Sequence, residues 1–84
     1  MKTCIFLHSP DTAPDDCPDH LWTELDLEWI PRVGDEICFA EGGWEMAVES
    51  VTYCIETQTA TIHIFCPSHE WFLDITSHKG IQWH

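Results

Sequence analysis

Apolar and polar positions alternate with a period of two along most of this chain. Thr3 to His8 is a short β-branched and aromatic run stopped by Pro10, which predicts a first strand. Leu21 to Trp29 alternates without a break. Leu21, Thr23, Leu25, Leu27 and Trp29 point one way, and Trp22, Glu24, Asp26 and Glu28 point the other. A helix would spread those carboxylates around its girth, so the pattern predicts a strand with one buried face. Pro31 ends it. Val33-Gly34-Asp35 reads as a turn in which Gly34 takes a positive φ. Glu36 to Ala40 follows as a third strand with Ile37 and Phe39 facing in, and Glu41-Gly42-Gly43 forms a hairpin turn.

Trp44 to Ile55 reads as a long fourth strand. Its apolar set, Met46, Val48, Val51 and Tyr53, slips by one residue between Val48 and Val51. A β-bulge there restores the alternation and bends the strand. Glu56 to Thr59 is a second hairpin loop, and Ala60 to Cys66 a fifth strand ended by Pro67. In that strand Ile62 and Ile64 alternate with Thr61, His63 and Phe65, which take the outward face. Leu73 to Lys79 predicts a single C-terminal helical turn capped by Gly80, with Ile81 and Trp83 packing back on the core. Ser9 to Pro18, rich in Pro and Asp, is an exposed loop. Short strands joined by tight turns predict an all-β fold, a small five-stranded SH3-like barrel closed by a bend in its longest strand.

Composition narrows the function classes. The 84 residues make one expected domain, residues 1–84. Lys and Arg number 3 against 15 Asp and Glu, for a formal net charge of -12. Direct binding of nucleic acid is excluded, because displacing phosphate counterions takes Lys and Arg. An anionic membrane surface repels the chain as well. No apolar run approaches the ~18 residues of a membrane span, yet the apolar content is too high for a disordered acidic tail. The five cysteines are an odd number, which leaves one over from any closed disulfide framework. The run Cys4 to Leu7 is shorter than the core of a signal peptide. A cytoplasmic protein with reduced thiols is the expectation.

From Trp29 to Ile64 the chain resembles small uncharacterised bacterial and phage proteins. The shared pattern is an apolar residue followed by Pro31-Arg32-Val33-Gly34-Asp35, then Trp44 to Val48, Val51 to Tyr53, and Ile62-His63-Ile64. The Gly80 to Trp83 ending matches with displaced spacing. That resemblance covers less than half the chain. It implies an SH3-like small barrel and no activity.

Two constellations carry candidate chemistry. Cys17-Pro18-Asp19-His20-Leu21-Trp22 is echoed by Cys66-Pro67-Ser68-His69-Glu70-Trp71. Two Cys-Pro-x-His knuckles supply Cys17, His20, Cys66 and His69, a Cys2His2 set for one tetrahedral zinc. Chance pairing at two strand boundaries is the plainer account of the same residues. The second constellation is acidic. Asp15, Asp16 and Asp19 crowd the first loop, and Glu24, Asp26 and Glu28 form a comb along the second strand beside Trp22. A strong negative field steers a protein towards basic surfaces, although net charge also serves solubility alone. No phosphate-binding loop or nucleophile motif is present, so no enzymatic activity is expected. The expected function is protein–protein interaction by an acidic binding protein. It would mimic nucleic-acid phosphates to inhibit a basic, nucleic-acid-processing partner, as phage-type inhibitors and immunity-like proteins do. The alternative is a small structural or regulatory zinc domain. Oligomeric state is left open, since an open sheet edge could pair two copies.

Overall fold

The computed structural model describes residues 2–40 and 43–84. Among them six strands and one helix follow in the order β1 Lys2–His8, β2 His20–Asp26, β3 Glu36–Ala40, β4 Gly43–Ala47, β5 Ser50–Cys54, β6 Thr59–Phe65 and α1 His69–Thr76. The fold is mostly strand with one short helix, as the alternation implies. The strands do not close into one barrel. Four form a sheet in the order β2-β1-β6-β5, and β3 and β4 form a separate two-stranded sheet.

The expected fourth strand is the reason for the difference. It is two strands belonging to two sheets. Val48 continues the β3–β4 ladder: its N–H donates to Asp35 O at 2.8 Å, and its carbonyl accepts from Gly34 N at 3.0 Å. The next residue, Glu49, donates instead to His63 O at 2.9 Å. The one-residue slip in the apolar pattern therefore marks a change of sheet and not a bulge. The preceding turn is built as the sequence indicates. Asp35 N bonds Arg32 O at 2.9 Å, the Asp35 carboxylate accepts from Arg32 N at 2.9 Å, and Gly34 sits at φ +92°. Of the second expected turn, Glu41 and Gly42 lie outside the described residues.

The core lies on one face of the four-stranded sheet. Its two central strands, β1 and β6, run parallel and contribute Ile5, Leu7, Ile62 and Ile64, all buried. Met46 and Val48 close one side, and Phe72 and Ile75 of α1 close another. That helix begins earlier than the Leu73 expected from the sequence. Ser68, held in extended backbone just after Pro67, caps it by accepting from Trp71 N. Ser77, not Gly80, forms its C-cap. Trp83 packs against the core as expected, and the segment that carries it lies along the edge of β2. Trp22 N donates to His84 O at 3.0 Å, His84 N donates to Trp22 O at 2.8 Å, and Thr23 Oγ1 donates to Gln82 O at 2.9 Å. No helix among the described residues is long and apolar enough to cross a membrane.

Candidate functional site: the outer face of the four-stranded sheet

Period two sends alternate residues of β1, β2 and β6 away from the core. Register then decides which of them meet. His8 lies between His20 on β2 and Phe65 on β6, and Phe6 lies between Trp22 and His63. The next row, Cys4 between Glu24 and Thr61, is polar at both flanks. Two consecutive rows of rings thus occupy a face that an antiparallel ribbon ordinarily gives to polar side chains.

The rings are in mutual contact. Phe6 stacks on His63 with centroids 5.2 Å apart and on Trp22 at 6.5 Å; His8 stacks on Phe65 at 4.4 Å and on His63 at 5.1 Å. His20 leans on both Phe6 and His8, at 5.3 and 5.5 Å. His84 extends the patch past Trp22, 4.8 Å from its ring. His8 Nε2 and His63 Nδ1 are hydrogen-bonded at 2.9 Å. Burial lowers the pKa of His8 from its ordinary value, and the nearby His63 and His20 lower it further. Trp22 is 36% exposed and Phe65 53%, so solvent reaches the patch.

Carboxylates border this face, though not as a comb of three. Glu24 and Asp26 stand on β2, but Glu24 pairs with Lys2 at 3.5 Å. Glu28 lies beyond the end of the strand, because β2 stops at Asp26. At the other end of the patch, the loop 9–19 is closed at its neck by Ser9 N to Asp19 O at 2.9 Å and folded internally by turns at Pro10–Ala13 and Pro14–Cys17. Asp15, Asp16 and Asp19 are exposed on it. Asp11, Asp15 and Asp19 face an open cleft of about 650 Å³ whose walls include His8 and Phe65.

The two Cys-Pro-x-His knuckles are brought together in part: Cys17 and Cys66 line the same cleft. Cys66 is buried, and burial pushes its thiol up to about 11. His20 lies on the outer face against Phe6 and His8. Cys17 and His69 share a smaller cavity beside α1, where His69 Nδ1 is buried with no hydrogen-bond partner among the described residues. Among those residues no group of three or more His, Cys, Asp or Glu side chains is placed to hold a metal ion.

No family model, curated protein or solved structure matches this chain. Sequence reasoning placed Trp22 in the site and set His63 and Phe65 outward. It missed Phe6 and His8 as members, because the parallel β1–β6 pairing that joins the two strands leaves no local signal. The alternation Cys4, Phe6, His8 against Thr3, Ile5, Leu7 was the one trace available.

Proposed function

We propose that this chain is a non-catalytic binding protein that docks a basic protein through the outer face of its four-stranded sheet. The observation that carries the reading is the contact row Trp22, Phe6 and His63, half-buried at Phe6 and His63 and exposed at Trp22, on a chain with net charge -12. Rigid aromatic side chains lose little conformational freedom on binding and dominate interface energetics. Guanidinium groups stack on such rings, for about 0.5–1 kcal/mol each at exposed sites. Carboxylates at both ends of the patch favour an approaching cation and speed its arrival. A groove built for nucleic-acid phosphates is lined with Lys and Arg and meets both requirements, so an inhibitor of a nucleic-acid-processing protein is the functional class proposed. Lys2 offsets Glu24, so the rings supply the affinity and the loop carboxylates supply the steering.

Titration of the isotopically labelled protein with an alternating Gly-Arg octapeptide, followed by amide chemical shifts, tests this reading. Saturable shifts at Phe6, Trp22, His63 and Phe65 are expected. Shifts confined to the Ser9–Asp19 loop, or linear without saturation, would sink it.

A further inference from the structure

A second concavity opens where β2 ends. Leu25, Leu27, Trp29, Ile37, Phe39 and Ile81 surround a groove of about 470 Å³ that reaches down to Ile5. That volume lies in the range of about 300–1,000 Å³ typical of ligand sites. The groove lies where the chain leaves β2 at Asp26 and crosses to the other sheet, whose first strand begins at Glu36. Trp29, on that crossing, is 67% exposed, so it stands at the groove and does not fill it.

The rim side chains are acidic. Glu28 and Glu36 line the groove together with the apolar residues, as does Asp26, whose carboxyl the N-terminal ammonium holds below its ordinary range, and among the described residues no Lys, Arg or His side chain does. We propose that this groove receives an apolar side chain of Leu or Phe size from the basic partner, flanked in the partner's own segment by Lys or Arg. The inference rests on the basic-partner reading and adds the anchor and its place. Charge complementarity selects this occupant. A second copy of this chain would bring another -12, and an anionic membrane surface is repelled by the rim. A neutral apolar molecule gains nothing from the Glu28 and Glu36 carboxylates.

The groove opens on the core side of the sheet and the ring face lies on the other, with the end of β2 between them. Asp26 ends β2 at the groove, and Trp22 stands four residues earlier on the same strand. At about 3.3 Å per residue the two are roughly 13 Å apart. A partner segment that reaches both sites rounds the end of β2, so its ring-stacking Arg stands at least about four residues from its apolar anchor if extended.

Three synthetic peptides test the proposal: one with an Arg pair, a four-residue spacing and a Leu between two Lys; a twin with Ser for Leu; and a twin with Glu for both Lys. Dissociation constants and amide shifts are measured for each against the protein and its Trp29→Ser variant, an exposed change that leaves the core intact. The Leu peptide is expected to shift Leu25, Leu27, Ile37 and Phe39 and to bind about tenfold tighter than its Ser twin, the order expected for burying a Leu side chain. Trp29→Ser should shrink that ratio several-fold and leave the Ser twin's affinity unchanged. Equal affinity of the Leu and Ser peptides, with shifts at the ring face alone, overturns the groove and leaves the basic-partner reading standing. Equal affinity of the Lys and Glu peptides overturns the assigned partner chemistry. Absence of saturable shifts with either basic peptide overturns both readings.

Discussion

His8 Nε2 and His63 Nδ1 lie 2.9 Å apart across two parallel strands. One imidazole donates and the other accepts, so the contact requires at least one neutral ring. With the pKa of His8 lowered from its ordinary 6.5 by burial, then by His63 and His20, the folded protein resists a proton that the unfolded chain accepts. The stability this contributes is complete above pH 6.5 and is lost as pH falls below it towards the lowered value. Urea midpoints should therefore drop between pH 7 and pH 5.5, and the drop should shrink in His8→Gln. A midpoint that is flat over this range, or a His8 ring resonance titrating at or above 6.5, contradicts the assignment.

The thiols should separate by reactivity. Cys54 is exposed, and hydrogen bonds from Thr57 lower its pKa, while burial pushes Cys66 up to about 11. Thiolate fraction and access govern alkylation. Iodoacetamide followed by mass mapping should modify Cys54 ahead of Cys66 by orders of magnitude in the native protein. Comparable rates without denaturant would show that Cys66 is not held in the core.

The turn at Gly34 tests the crossing between sheets. Its φ of +92° penalises any L side chain, although a Cβ there would meet nothing within 4 Å. The cost of Gly34→Ala is then conformational alone, about 1–2 kcal/mol. Denaturant unfolding should find that loss with the fold retained. No loss would mean the turn adopts another geometry.

Phe72 and Leu73 are neighbours on α1 with opposite fates, 1% and 50% exposed. Phe72→Ala should cost about 3–5 kcal/mol, and Leu73→Ala within about 0.5 kcal/mol. The reverse order would place the helix register one residue away from that described.

Much of this architecture was legible in the sequence, and the limits have physical causes. Period two exposed β1, β2, β3 and β6, since each buries one face. Gly34 and Asp35 announced their turn because only a few residues fit one. The slip at Val48 was visible, but a bulge and a change of sheet leave the same trace: both shift the inward positions by one. The start of α1 was obscured because His69-Glu70-Trp71 shows no apolar stripe before Phe72. Within the site, Trp22 and the carboxylates were read from one strand. The cluster with Phe6, His8, His63 and Phe65 depends on pairing between residues 55 apart, which no local pattern encodes. The Cys-Pro-x-His echo shows the same limit in reverse. Similar hexapeptides suggested proximity, and the fold sends His20 to the outer face and Cys66 to the core.

The central claim is that the ring face selects basic partners. The most direct measurement is a random-peptide selection on the immobilised protein, run in parallel on the double variant Trp22→Ser, Phe65→Ser and on a control, Tyr53→Ser, Ile55→Ser, that removes exposed apolar area elsewhere. The account predicts Arg-enriched sequences from the wild type and the control and loss of that enrichment with the ring-face variant. Equal Arg enrichment on all three proteins, or no basic enrichment on any, would contradict it.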